Sequence, residues 1–245
     1  PAPHMRDNLE LKPNEYRLSL KGNPIARSEV MTGHLMALHP GDVAPALDGV
    51  PAKDPAFGLP AVWVPEARRE EALRAGCTVI DPATVVATHL TELFRRHADE
   101  LLSRQTVQRL LEHLSEGHQR LVEDLTPATL PLGAIQKVLQ NLLRERVSIR
   151  DLLTVCETLA DQGAAVKDPD LLTESVRQAL ARGITRPFEN PEGHLPVLTL
   201  HPEVEDRVTR SLQRPGEGGG VLSDPEFLSR LVQAVAAEAR RVSAP

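Results

Sequence analysis

Nine histidines and two cysteines are the residues of this chain best suited to metal or acid–base chemistry, and their spacing decides how far each can be taken. His113 and His118 lie five apart in a helical stretch, which turns them about 140° from one another around the helix axis. His34 and His39 point to opposite faces if their segment is a strand. Neither H-E-x-x-H nor C-x-x-C occurs, so no zinc site is expected. Cys77 and Cys156 have no nearby cysteine partner, the pattern of two buried thiols in a reducing compartment and not of a disulfide framework. His89 and His97 stand about two helical turns apart, too far for one imidazole to serve the other, and read as ordinary helix histidines. The cluster from Gly216 to Gly220 lacks the Lys-Ser/Thr pair of a phosphate loop and follows a helix, so it reads as a linker. G-x-S-x-G is absent, which leaves a small hydrolase with a dispersed catalytic set as the enzymatic alternative. No catalytic residue, metal or cofactor is expected.

A different chemistry is offered by Lys53-Asp54-Pro55-Ala56-Phe57-Gly58-Leu59-Pro60. Prolines restrict the shapes of this loop, and Phe57 is one of six aromatics in the chain, with Tyr16, Trp63, Phe94, Phe188 and Phe227. A ring held on a stiff loop loses little entropy on association, so it suits an anchor that inserts into a partner's pocket. The competing reading is that Phe57 plugs the core of its own domain.

The composition frames both readings. The 245 residues exceed a typical single domain, so two or more units in series are expected, and 41% hydrophobic with 25% charged residues is the balance of a folded protein. A formal net charge of -6, with basic and acidic residues interleaved, repels polyanions and argues against nucleic-acid binding. Apolar runs are only a few residues long, far short of the roughly 20 that span a bilayer. No signal peptide is evident, and Pro1 to Met5 reads as native loop.

The elements that must position the loop follow from periodicity and punctuation. In Glu15 to Gly22, Tyr16, Leu18 and Leu20 alternate with Arg17, Ser19 and Lys21, which predicts a strand. Gly22-Asn23-Pro24 supplies a turn and Ile25 to Val30 the returning strand. Leu35 to Leu38 and Ala61 to Val64 are two short apolar strands on either side of a rigid, proline-rich loop. Pro65 opens a helix that Gly76 closes, and Thr78 to Ile80 is another strand. Asp81 and Pro82 then read as N-cap and first residue of a helix with its stripe on Val86, Leu90, Leu93, His97 and Leu101.

From Ser103 to Gly183 one helix follows another, with apolar faces such as Val107, Leu110, Leu111 and Leu114, then Ile135, Val138, Leu139, Leu142 and Leu143. Ser148 with Asp151 has the spacing of a capping box, followed by a stripe through Ile149, Leu152, Leu153, Cys156 and Leu159. Asp168-Pro169 opens a further helix with Leu172, Val176, Ala179 and Leu180 on one side and Gly183 at its end. After Pro187 a short strand is expected over Val197 to Leu200, a helix from Pro202 and a last helix from about Asp224, whose ending looks truncated.

Several longer motifs, in fixed order, carry a family resemblance. They are Arg6-Asp7-Asn8-Leu9, Leu11-Lys12-Pro13-Asn14-Glu15-Tyr16-Arg17, the Lys53 to Pro60 loop, and Thr78-Val79-Ile80-Asp81-Pro82-Ala83-Thr84-Val85-Val86-Ala87-Thr88-His89-Leu90. Val138-Leu139-Gln140-Asn141-Leu142-Leu143 with Val147-Ser148-Ile149-Arg150-Asp151-Leu152 follows, then Lys167-Asp168-Pro169-Asp170-Leu171-Leu172-Thr173-Glu174. Over about residues 4 to 185 the chain resembles the cytoplasmic domain of FlhA-type export-gate proteins of flagellar and injectisome type III secretion, the FHIPEP family. Beyond Pro187 the similarity is weak and the last part is assigned by order.

The resemblance implies an α+β, multi-subdomain fold. A mixed α/β subdomain, residues 1–32 and 82–101, is split around an inserted α/β subdomain, residues 33–81. A helical subdomain follows at 102–182 and a partial α/β subdomain at 183–245. The chain is then expected to begin inside the first subdomain and to stop before the last strands of the fourth. By the same resemblance it is a non-enzymatic docking platform on the cytoplasmic side of the bacterial inner membrane, part of an integral membrane protein. It receives export chaperone-cargo complexes and passes substrates to the membrane channel, in flagellar assembly, with a virulence injectisome as the alternative. The implied chaperone-binding residues are Asp54, Phe57 and Thr88. Further implied partners are other export-apparatus proteins including the ATPase complex, and copies of the same protein in a nine-membered ring; no cofactor and no nucleic acid are implied.

Overall fold

A computed structural model describes residues 4–39, 47–213 and 224–243. The chain divides into two units, residues 1–180 and 181–245.

The first unit opens with the alternating segment, which forms β1 (Glu15–Leu20) paired antiparallel with β2 (Asn23–Glu29). Tyr16, Leu18 and Leu20 turn to one half-buried side, as the period-two pattern predicts. The turn falls one residue earlier than expected, on Lys21 and Gly22, because both take positive φ (51° and 86°) and so match the twist of the strands. Asn23 and Pro24 already pair with Leu20 and Ser19.

Four more strands make an antiparallel sheet in the order β4 (Val50–Lys53), β5 (Pro60–Pro65), β3 (His34–Leu38), β6 (Thr78–Ile80). Leu35, Ala37, Val62 and Val64 pack on one face with Ala72 and Cys77, while Met36, Ala61 and Trp63 pack on the other with Val85. Burial on both faces explains why β3 and β5 read as unbroken apolar runs. Strand β4 was not expected: Val50-Pro51-Ala52-Lys53 sits inside the stretch read as rigid loop. It is an edge strand, the place where a residue without an N–H is tolerated. Gly49, just before it, approaches Trp63 so closely that a Cβ would lie 2.4 Å from the Trp63 carbonyl oxygen.

Pro65 ends β5 and precedes a single 3-10 turn, Glu66–Arg68, before α1 (Arg69–Arg74). Helix α2 (Pro82–Arg96) starts as the capping residues require, with the Thr84 amide donating to the Asp81 carboxylate at 2.9 Å. Its buried side is turned from the expected stripe. Val85, His89, Glu92 and Leu93 are buried, while Val86 and Leu90 are only partly so. The sheet claims Val85 and the hairpin claims His89, which rotates the helix by about one position.

Short α3 (Ala98–Leu101) leads into α4 (Arg104–Glu123), a wide π-type turn at Asp124–Thr129, α5 (Leu132–Arg144), α6 (Leu152–Gly163) and α7 (Pro169–Ala179). Val107, Leu111, Ile135, Val138, Leu139, Leu142, Val155, Leu159, Leu172 and Val176 fill their common core. The expected capping box is displaced: Asp151 is itself the N-cap of α6, accepting from the Thr154 amide at 3.2 Å, and Ser148 Oγ accepts from the Arg150 amide in the preceding loop. Asp168 caps α7 as expected, but the helix ends at Ala179, and Gly183 lies within α8 (Ala181–Thr185).

The second unit holds α8, a 3-10 turn Arg186–Phe188, α9 (Pro202–Gln213) and α10 (Pro225–Ser243). The Arg207 guanidinium stacks 4.3 Å from the Phe227 ring centroid and lies 3.4 Å from Asp224. The strand expected over Val197 to Leu200 does not form. Val197, Leu198 and Leu200 are exposed, and among the described residues no strand offers them a partner. Gly216 to Gly220 lie outside the described residues.

Candidate docking site

The Asp54 to Leu59 loop connects β4 to β5 and is closed by its own backbone. The Asp54 amide donates to the Leu59 carbonyl and the Gly58 amide to the Asp54 carbonyl, each at 2.8 Å. The Phe57 amide donates to Asp54 Oδ2 at 2.7 Å. Gly58 takes φ of 74°, the left-handed conformation that turns the chain back towards Pro60. The outcome is an alternation of depth: Asp54 (3%) and Ala56 (1%) are buried, and the Phe57 ring between Ala56 and Gly58 stands 59% exposed. Of the two sequence readings of Phe57, the core plug does not describe this ring.

Beside the ring runs one face of α2. Phe57, Ala87, Thr88, Thr91, Glu92 and Arg95 line a shallow groove of about 300 Å³. Phe57 and Thr88 therefore share a surface, while Asp54 does not line it and lies beneath the loop. Thr91 and Arg95 escaped the sequence reading, although helical spacing of three and seven from Thr88 puts both on its face. The groove offers the Phe57 ring, the Thr88 hydroxyl and the Arg95 guanidinium, a set suited to holding a partner's side chains. Thr91 Oγ1 is engaged with the Ala87 carbonyl at 2.8 Å.

Under the loop lies a polar layer. Tyr16 of β1 meets His89 of α2 through a 2.7 Å bond between the hydroxyl and Nδ1, with ring centroids 5.7 Å apart, edge to face. Burial pushes the Tyr16 hydroxyl above its ordinary value, and the nearby Asp54 charge pushes the same way. Burial pushes His89 below the usual imidazole range, opposed by Asp54 and reinforced by Arg96. A neutral His89 with Nδ1 accepting from the Tyr16 hydroxyl fits both shifts. Among the described residues no group of three or more histidine, cysteine or acidic side chains converges on a metal position. No described helix is long and apolar enough to cross a membrane.

A sheet-bearing region followed by a helical bundle places the chain among multi-part α+β proteins, and the comparisons with known proteins narrow that class. The chain belongs to the FHIPEP family, whose profile matches residues 1–245. It is 44% identical over 243 residues to the flagellar biosynthesis protein FlhA of Bacillus subtilis (strain 168), covering 99% of this chain and 36% of that one. It thus spans about a third of the curated relatives it matches. A chain in the structure of the Chlamydia pneumoniae CdsV and CdsO protein complex superposes with a TM-score of 0.76 at 27% identity, covering 94% of this chain and 68% of that one. The nonameric SctV-C of EPEC shares the fold, with a TM-score of 0.68 at 24% identity over 91% of this chain and 68% of its own.

Proposed function

We propose that this chain is part of the cytoplasmic docking platform of a type III protein export gate, serving flagellar assembly at the inner face of the bacterial inner membrane. Export chaperones carrying cargo dock on the groove beside Phe57, with the ring as anchor and the Thr88 hydroxyl as a polar contact. Asp54 acts from below by shaping the loop. The observation that carries this reading is a scarce aromatic held 59% exposed on a loop whose backbone is tied at both ends. Such pre-organisation lowers the entropy lost on binding. The role is one of binding, without turnover.

Identity of 44% to a flagellar relative, against 27% to CdsV, favours the flagellar branch over the injectisome. The CdsV and CdsO complex supports a further export-apparatus partner, and the shared fold of nonameric SctV-C supports ring self-association of the whole protein. The proposal keeps the subdivision into residues 1–32 with 82–101, 33–81, 102–182 and 183–245. The groove then lies where the inserted part meets the long helix of the split one.

The test is calorimetric titration of the chain with a purified flagellar chaperone bound to its cargo and, in parallel, with a virulence-type pair. Saturable binding of the flagellar pair that is lost in Phe57→Ala is the expected result. Failure of both pairs to bind would overturn the docking role.

A further inference from the structure

Both polar ends of the peptide group joining Ala56 to Phe57 are held by ionisable side chains. On one side the Phe57 N–H donates to Asp54 Oδ2 at 2.7 Å. On the other, the Ala56 carbonyl accepts from Arg96 Nη2 at 2.8 Å, across 40 positions of sequence. A peptide plane held at both its oxygen and its hydrogen is restrained from rotating. With the next peptide held by the Gly58 amide on the Asp54 carbonyl, the two planes together set the direction in which the Cα–Cβ bond between them leaves the backbone. The ring it aims is Phe57.

Arg96 is itself oriented. Its Nε donates to Glu92 Oε1 at 3.1 Å, and Arg146 Nη2 reaches the same oxygen at 3.0 Å from the loop after α5. The Glu92 side chain is 6% exposed, against 48% for Arg96 and 62% for Arg146. A carboxylate claimed from two directions does not follow either cation. A solvent-exposed ion pair one helical turn apart would hold little by itself. What sets Arg96 apart is the second donor of the same planar guanidinium, placed on a distant backbone carbonyl, a divergent geometry that an ammonium does not reproduce.

We propose that Arg96 is a positioning residue of the docking site, holding the Ala56–Phe57 peptide so that the Phe57 ring is presented to the partner in one orientation, with Glu92 as its anchor. The consequence for docking rests on the function proposed above; the clamp on the loop does not, and the two are measured separately.

The experiment uses the 245-residue chain with Arg96→Met, which keeps the bulk and removes the donors, and Arg96→Lys, which keeps the charge without the fork. Hydrogen exchange at the Phe57 and Gly58 amides reads the clamp in the absence of any partner. Titration with a purified flagellar chaperone bound to its cargo reads docking. Exchange is expected to rise about tenfold in Arg96→Met and less in Arg96→Lys. Docking affinity should fall in the same order, with a modest loss of melting temperature in Arg96→Met because buried Glu92 then keeps only Arg146 as its partner. Unchanged exchange at both amides overturns the proposal. So does faster exchange with full docking affinity in a protein whose Phe57→Ala variant no longer docks. If Phe57→Ala docks as well as the parent, the docking reading fails, and the exchange data alone judge the clamp.

Discussion

The Asp54 carboxylate accepts the Phe57 amide hydrogen at 2.7 Å, so a residue that is 3% exposed sets the stance of one that is 59% exposed. Asp54→Ala removes that acceptor and leaves the amide without its partner, at an expected cost of about 1–3 kcal/mol in stability. Docking should weaken as well, although the groove is not lined by Asp54. Asp54→Asn keeps an acceptor oxygen and should be the milder change. Urea unfolding and titration of both variants check this; equal loss in the two would mean that charge, and not the bond, is what matters.

Phe57→Ala should remove about 2 kcal/mol or more of docking free energy. The melting temperature should hardly move, because an exposed ring contributes little to the core, whereas truncating a buried one costs about 3–5 kcal/mol. Thr88→Ala deletes one hydroxyl from the same groove and should cost about 1 kcal/mol of docking. Calorimetry and thermal melting on the same samples decide between these cases: a lowered melting point with undiminished affinity would refute the anchor.

Cys77 and Cys156 are both buried, and burial raises both thiols, Cys156 to about 12 with help from neighbouring Glu157. The thiolate is the reactive form, so at pH 8 neither should react with a maleimide in the native chain, and both should react after denaturation. Mass spectrometry of the labelled chain gives the count, and rapid native labelling of either residue would contradict its placement.

His89 carries a pH signature. Its folded value lies below the ordinary imidazole value of about 6.5 because burial disfavours the cation. Below that ordinary value the unfolded chain takes up a proton that the folded chain refuses, so stability should decline as pH falls towards the folded value and level off beneath it. His89→Gln keeps an acceptor for the Tyr16 hydroxyl and does not titrate, so it should flatten the slope between pH 7 and the folded value. Glu92 acts in a separate, more acidic window: Arg96 and Arg146 hold it below the usual carboxylate range, and its contribution is lost only as pH falls through that depressed value. Unfolding midpoints measured from pH 8 down to below the usual carboxylate range of about 4 separate the two groups, and an unaltered slope in His89→Gln would remove His89 from the account.

Local features were legible in the sequence because neighbours in the chain cause them. Alternation over Tyr16, Leu18 and Leu20 produced β1, and Asp81-Pro82 and Asp168-Pro169 produced the starts of α2 and α7. A strand that needs a partner was less legible. Val50 to Lys53 pairs only because β5 lies beside it, while Val197 to Leu200, with a more strand-like composition, stays irregular.

The candidate site divides along the same line. Residue type and spacing by themselves determined that a rare aromatic sits on a proline-braced loop and that Thr88 lies on the helix after Asp81. They could not decide whether Phe57 faces its own core or solvent, which face of α2 is buried, or that Arg96 reaches back to Ala56. Those outcomes depend on groups 31 to 73 positions apart in the chain, such as Phe57 with Thr88, Arg96 with Ala56, and Tyr16 with His89. Packing the hairpin and the sheet against α2 brings them together, and burial is summed over such neighbours without regard to sequence order.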